Sequence, residues 1–476
     1  MSSTLLRLYQ SLPAPLRSLA ASAHGQRLRA WRYGPETESL AAEAIEREQW
    51  EPQRWQQWQE ERLARILHIA ATRVPYYRQA WEARRRKGDR ASWEVLENWP
   101  ILEKEALRAN PLAFVADGCD PRRMLHEHTS GTTGKPLDLW STRDTTRRWY
   151  ALMEARWRGW YGVSRHDRWA ILGGQLVVPV KQRRPPFWVW NRAMNQLYLS
   201  TYHLAPELVA HHLEALRRYR VRYLWGYTSA LFALAQEALR LEWQAPPLAV
   251  VIANAEPVFD YQREAITRAF QCPLQETYGT CEQVVAASEC PFGTLHLWPE
   301  VGYLEVLDGD RPVADGTPGD LICTSLLNAE MPLIRYRLGD RVVRPAQPAP
   351  CACGRRLPEL QSVDGRTDDL LYTADGVPMG TAILSVVFQA QLPVREVQLV
   401  QEALDQIRVR YVPAPGFDRN TGLALVERLQ ERLGKMEVIL DAVESLPRDA
   451  NGKFRSVVCR VPPATLAAVK ARASNG

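Results

Sequence analysis

HTSGTTGKPL, residues 128–137, is a run of Ser, Thr and Gly that closes on Lys135 and Pro136. Glycine lets a backbone turn sharply and approach a ligand closely. The hydroxyls and N–H groups of such a loop suit the oxygens of a polyphosphate. Lys135 adds a point positive charge. A polar hairpin turn would use the same residues. The run is not a Walker A loop, which needs GxxxxGK[ST] at the start of a helix. Gly131 and Gly134 stand too close together, and Pro136 takes the place of the Mg²⁺-binding hydroxyl. Kinase-like and GTPase-like readings lose most of their weight.

The chain around this loop has 476 residues, too many for one compact core, so two or three domains are expected. Its 46% hydrophobic and 24% charged residues are ordinary for a globular protein. The net charge of +6 suits an anionic ligand and does not demand nucleic acid. Eight unevenly spaced cysteines do not make a disulfide scaffold. No apolar run reaches the ~20 residues of a spanning helix. In MSSTLLRLYQSLPAPLRSLAASAHG, Arg7, Pro13, Pro15 and Arg17 interrupt the apolar region that a signal peptide needs. It reads as a small amphipathic helix and a turn, a form also compatible with peripheral membrane contact. A cytoplasmic location is expected.

Residues 38–71 read as helical, and 142–160 as a helix capped by Ser141 or Thr142. Its Arg and Trp residues (Arg147, Arg148, Trp149, Arg156, Trp157, Arg158, Trp160) suit stacking on nucleic acid. A helix that packs Trp inward and leaves Arg in water is the simpler reading. VVPVKQRRPPFWVWNRAMNQLYL (177–199) reads as a lid, a channel, a membrane-facing patch or an irregular insertion. From 206 helix and strand alternate, which argues for a mostly parallel sheet covered by helices. NAEP (254–257) and TYGTCE (277–282) fall at carboxyl ends of strands, where such sheets bind ligands. Residues 295–345 suggest a β subdomain, and a boundary is expected near Asp364-Gly365-Arg366. The expected fold class is α/β: a large N-terminal domain (1–364) of parallel-sheet subdomains plus the β subdomain, and a small mobile α+β C-terminal domain (365–476). A helix is expected near 380–391 and another near 420–434.

The run at 128–137 resembles the phosphate loop of adenylate-forming enzymes, the acyl-CoA synthetase and luciferase superfamily. VPYYR (74–78) and WPILEKEALRANP (99–111) before it resemble segments of the phenylacetate–CoA ligase branch. YLWGYTSAL (223–231), PLIRYRLGD (332–340), CACGRRLP (351–358) and the Cys290…His296 segment resemble its capsular-polysaccharide, CapK-type members. The resemblance implies ATP bound by Thr129, Ser130, Gly131, Thr132, Thr133 and Gly134, with Lys135 acting on the phosphates. It implies that Ala255, Glu256 and Pro257 face one side of the adenine and Tyr278, with Gly279, the other. Glu282 would bind Mg²⁺, although Cys281 replaces the usual Thr or Ser before it. Asp340 would hold the ribose hydroxyls and Arg366 would lie near ribose and phosphate. Asp368 would be the hinge, and Lys453 in LPRDANGKFR (446–455) the catalytic lysine.

Three functions fit. A small carboxylic acid, ATP and CoA give acyl-CoA, AMP and pyrophosphate. Alternatively the acyl group passes to another acceptor, such as a sugar amine or hydroxyl or a carrier protein. A non-catalytic scaffold is the third, and Lys453, Glu282 and Asp340 argue against it. The acid pocket is expected near 225–230 and 253–283, where Trp225, Tyr227 and Phe259 would either favour an aryl or apolar acid or be core. Cys290, His296, Cys351 and Cys353 make a Cys₃His set suited to structural Zn²⁺, with unligated thiols the alternative.

Overall fold

The computed structural model describes residues 8–129, 137–366, 371–373, 378–379, 393–433, 436–448, 454–462 and 465. Helices come first: α1 (Ala14–Arg32), α2 (Thr37–Arg47), α3 (Pro52–Arg73) and α4 (Pro75–Arg86). Proline opens α3 and α4, where its missing N–H costs nothing. Helix α1 runs for 19 residues, well beyond the small helix expected. Among the described residues no helix is long and apolar enough to cross a membrane.

Strands β1 (Leu125–His128) and β2 (Asp138–Ser141) form an antiparallel hairpin around the phosphate-loop run. Helix α5 (Arg143–Met153) starts at Thr142, whose hydroxyl accepts the Thr145 N–H at 3.2 Å. It continues into a π-helical turn, Glu154–Arg158. There the expectation of Arg in water is overturned: Arg156 is 0% exposed and Arg158 2%. The turn places all five residues inside, and each guanidinium meets buried carboxylate. Arg156 donates to Glu48 and Glu300, Arg158 to Glu154 and to the Tyr223 hydroxyl.

The main sheet begins with β3 (Trp169–Gly173), β4 (Trp188–Asn191) and β5 (Gln196–Ser200). Helix α6 (Pro206–Arg218), β6 (Tyr223–Tyr227), α7 (Thr228–Arg240), β7 (Val250–Asn254), α8 (Asp260–Phe270) and β8 (Leu274–Gly279) follow. Strands β5, β3, β6, β7 and β8 are parallel in that spatial order. β7 is a continuous apolar run because both faces of this sheet are covered. The aromatic stretch at 177–199 supplies the edge strand β4 and most of its inner neighbour β5, so its second half is regular sheet rather than lid or insertion. Beyond β8 lie the antiparallel strands β9 (Ala286–Glu289) and β10 (Leu295–Leu297).

The β subdomain contains β11 (Gly302–Asp308), β12 (Arg311–Pro312), β13 (Gly319–Ser325) and β14 (Tyr336–Val343). β15 (Glu359–Leu360) returns to pair with β10, and β16 (Ser362–Arg366) closes the subdomain on β14. β16 ends at Arg366, inside the Asp364-Gly365-Arg366 stretch where a boundary is expected. The C-terminal part holds β17 (Leu371–Tyr372), β18 (Pro378–Met379), β19 (Val394–Ala403), β20 (Gln406–Pro413), α9 (Arg419–Leu433), β21 (Glu437–Ala442) and β22 (Val457–Cys459). Four of these form a sheet in the order β21-β20-β19-β22, an α+β arrangement. The helix expected at 380–391 lies outside the described residues. Phe259 and Tyr261 pack into the apolar core of this part, beside Val397 and Leu399.

Candidate active site

The first motif stands on the β1–β2 hairpin, where His128 pairs with Asp138. Its neck is closed twice: Thr129 N–H donates to the Leu137 carbonyl (3.1 Å), and Leu137 N–H to the Thr129 hydroxyl (2.9 Å). Ser130 to Pro136, with Lys135, lie outside the described residues.

The carboxyl end of the sheet carries the next two motifs. β7 ends at Asn254, and Ala255 turns the chain with φ 63°. β8 ends at Gly279, just before Glu282. On β14, Asp340 and Tyr336 face these residues. The Tyr278 hydroxyl donates to Asp340 Oδ2 (2.6 Å), and the Tyr336 hydroxyl to Glu282 Oε1 (3.0 Å). Burial, helped by Asp340, pushes the Tyr278 phenol well above its ordinary range. Burial and Glu282 do the same to Tyr336. Both hydroxyls thus stay protonated and fix the two carboxylates. Asp340 pairs in register with Arg366 across β14 and β16. The WPILEKEALRANP segment docks on the same strand, with Leu102 N–H on the Arg335 carbonyl (2.9 Å) and Arg337 N–H on the Leu102 carbonyl (3.0 Å). Asp368 and Lys453 lie outside the described residues.

Glu256 has partners that its motif does not reveal. Its carboxylate accepts the Ser229 N–H (2.7 Å), the Ser229 hydroxyl (3.1 Å) and the backbone N–H of Phe454 (2.8 Å). Burial raises its pKa, against these hydrogen bonds. Phe454 adjoins Lys453, so Glu256 ties the last motif of the chain to the NAEP turn. Ser229 belongs to YLWGYTSAL, yet nothing in that string points to Glu256. A cavity of about 450 Å³ opens beside this contact, lined by Ser229, Phe232, Tyr261, Arg268, Glu396 and Phe454 among others. Of the aromatics expected to line the acid pocket, Trp225 packs edge-on to Trp157 (4.8 Å) and stacks on Trp169 (5.6 Å). Phe259 sits in the C-terminal core. Core packing describes both.

One hydroxyl in the site has no visible use. Thr280 Oγ is buried without a hydrogen-bond partner among the described residues. It precedes Cys281, the position where the resemblance expects a hydroxyl.

The four candidate zinc ligands also come together, their donor atoms all within 4.8 Å of one another. Cys290 Sγ is 3.7 Å from Cys351 Sγ, and Cys353 Sγ is 3.3 Å from His296 Nε2. Two thiolates about 2.3 Å from a tetrahedral zinc stand about 3.7 Å apart. His296 is fully buried, which lowers its pKa to about 4 and keeps the ring neutral. Its Nδ1 lies 3.4 Å from the Leu357 carbonyl, leaving Nε2 toward the thiols. The donor set and its spacing fit zinc.

The chain is similar to known proteins in sequence and in fold. Residues 371–460 match the CapK C-terminal domain. Protein CapK of Staphylococcus aureus is 24% identical, over 84% of this chain and 88% of that protein. A phenylacetate–coenzyme A ligase of Thermus thermophilus is 25% identical, over 90% of this chain and 99% of its own length. A solved 2-hydroxyisobutyryl-CoA ligase in its postadenylation state superposes with a TM-score of 0.65 at 18% identity, covering 90% of this chain and 94% of that one. The same ligase in its thioesterification state, at 20% identity and the same coverage, gives 0.51. The fold is that of the adenylate-forming enzymes. By sequence the chain is similar to the phenylacetate–CoA ligases and to CapK, whose C-terminal domain its residues 371–460 match.

Proposed function

We propose that this enzyme activates a small carboxylic acid with ATP and passes the acyl group to CoA. A carboxylate oxygen attacks the α-phosphorus, and the bond to the β-phosphate oxygen breaks, releasing pyrophosphate. The CoA thiol then loses its proton, its sulfur attacks the acyl carbon, and AMP leaves. Residues 1–364 bind ATP and the acid, and residues 365–476 carry Lys453. The observation that carries this reading is the meeting of Tyr278, Glu282 and Asp340 at the carboxyl end of the sheet, with Phe454 docked on Glu256. Two anions must react, so positive charge at the α-phosphate lowers the barrier. Lys453 and Lys135 supply it from the chain. Glu282, with the unpartnered Thr280 hydroxyl beside it, suits Mg²⁺, which screens phosphate charge when bound. Thr280 then stands in for the hydroxyl missing at Cys281.

Pyrophosphate exchange over a panel of aryl, fatty, amino and sugar acids tests the first step. CoA-dependent AMP release tests the second. Exchange with no acid in the panel would count against the activity. Exchange without CoA-dependent turnover would shift the acceptor to a sugar amine, a hydroxyl or a carrier protein.

Asp340→Ala is expected to weaken ATP binding through lost hydrogen bonds to the ribose, each about 1.5–3 kcal/mol for a charged acceptor. It also strands the Tyr278 hydroxyl, so calorimetry should be paired with an unfolding curve. Unchanged ATP affinity in a folded variant would remove Asp340 from the ribose site.

Zinc in the Cys₃His set would pin the 351–353 loop to the β9–β10 hairpin, and hence to the strands that follow TYGTCE. With all four positions filled by protein, it does no chemistry. The double variant Cys351→Ser, Cys353→Ser should lose one zinc per chain and melt at lower temperature, with activity falling indirectly. Elemental analysis of wild-type protein purified without chelator decides the matter; a content far below one zinc per chain refutes the site.

A further inference from the structure

A second group of metal-ligating side chains stands at the root of the phosphate loop. We propose that His126, His128 and Asp138 form a binding site for a divalent transition-metal ion on the β1–β2 hairpin. His126 and His128 are two apart on β1, so both rings project from one face of the ribbon. Asp138 lies directly across from His128 in the pairing register. The three donor atoms lie within 4.8 Å of one another.

The aim of the two rings is the decisive feature. His126 Nε2 is 2.8 Å and His128 Nδ1 3.1 Å from the same oxygen, Asp138 Oδ1. Two donor nitrogens and an anionic oxygen thus converge on one point. A cation there replaces the protons that now hold the group together. The His126 ring lies flat on Trp140, 4.6 Å between centroids and 7° between planes, which fixes its direction. All three side chains are partly open to solvent, at 42%, 61% and 43% exposure, so an ion has an entry path and water can complete its coordination. Two imidazoles and one carboxylate suit Zn²⁺, Co²⁺, Ni²⁺ or Cu²⁺ rather than Mg²⁺ or Ca²⁺.

An ordinary surface hydrogen-bond cluster would account for the contacts to Asp138. It does not require both nitrogens to meet on a single oxygen across two strands. The site shares no residue with the Cys₃His set or with Glu282, though Cys281 Sγ lies 3.7 Å from the His128 carbonyl. Thr129, whose hydroxyl closes the loop neck, follows His128 directly. An ion bridging His128 to Asp138 would therefore cross-link the two arms on which the phosphate loop is carried.

The test is nickel titration of untagged full-length protein by calorimetry, in parallel for wild type, His126→Ala and His128→Ala. Wild type should bind one equivalent more than either variant, or bind it about tenfold or more tightly. That event should strengthen with rising pH, because metal ligands must be unprotonated. Both histidines stand at the surface, at 42% and 61% exposure, so the variants should keep the wild-type circular dichroism. The double variant Cys351→Ser, Cys353→Ser should retain the histidine-dependent event if folded. Superimposable isotherms for wild type and both histidine variants would overturn the proposal, as would absence of nickel binding to the wild type.

Discussion

Lys453→Ala is expected to slow acyl-adenylate formation about a hundredfold or more, a loss of about 3 kcal/mol, by analogy with removing one preorganised electrostatic contact. Under the proposed function, charge accumulates at the α-phosphorus as the carboxylate attacks, and the lysine would meet it there. Thioester formation from a preformed acyl-adenylate should survive, because that step would use the other orientation of the small domain. Phe454, next in sequence, is anchored by its N–H on Glu256. The loop is therefore tethered to the large domain through backbone, and trimming the Lys453 side chain leaves that tether intact. Rapid-quench measurement of the two half-reactions separates the effects. Wild-type adenylation in the variant would exclude Lys453 as the catalytic group. Equal losses in both half-reactions would point to damaged packing instead.

The alternation from 206 to 279 was legible because each strand there is a short apolar run bounded by helical periodicity. The structure places β6, β7 and β8 in order on that stretch. The motifs were legible one at a time, but their pairing was not. Tyr336 meets Glu282 from 54 residues away, and Tyr278 meets Asp340 from 62 away. Neither pair has a local pattern. Strands β4 and β5 were hidden by prolines and basic residues immediately before them. Glu256 shows the limit of motif reading most directly. Its string suggests a residue beside adenine, whereas its carboxylate is spent on Ser229 and Phe454. The four zinc candidates were legible from donor type and position, one pair just after TYGTCE and the other in a Pro/Gly-rich loop, because their spacing alone is a weak signal.

Arg156→Met should destabilise the large domain by about 3–5 kcal/mol, the cost of leaving buried carboxylates unpaired. Methionine keeps much of the volume, so the loss reports charge rather than a cavity. In the native protein Arg156 Nη1 and Nη2 clamp Glu300 (2.9 and 2.8 Å), and its Nε reaches Glu48 (3.3 Å). Glu48 also accepts Trp160 Nε1 (2.9 Å) and Arg355 Nε (2.9 Å), which links α2 to the loop bearing Cys351 and Cys353. Burial alone would raise the Glu300 carboxyl; Arg156 and Arg47 outweigh it and hold it below the usual carboxylate range. A carboxyl depressed in the folded state stabilises above its unfolded pKa of about 4.3, and that stability is lost as pH falls through the folded value. The penalty of Arg156→Met should thus be largest near neutral pH and shrink on acidification below about pH 4, as Glu300 is protonated in both proteins. Arg148 supplies the contrast: its bond to Asp144 is 2.8 Å, but the side chains are 43% and 65% exposed. Arg148→Met should cost no more than about 0.5 kcal/mol. Adding Glu300→Gln to Arg156→Met should recover part of the loss, because it removes the stranded charge. Denaturant unfolding of the four proteins at pH 7 and at about pH 3 measures every term. A penalty for Arg156→Met as small as that for Arg148→Met would mean that solvent reaches Glu300 and that the buried network does not hold the helical layer to the sheet.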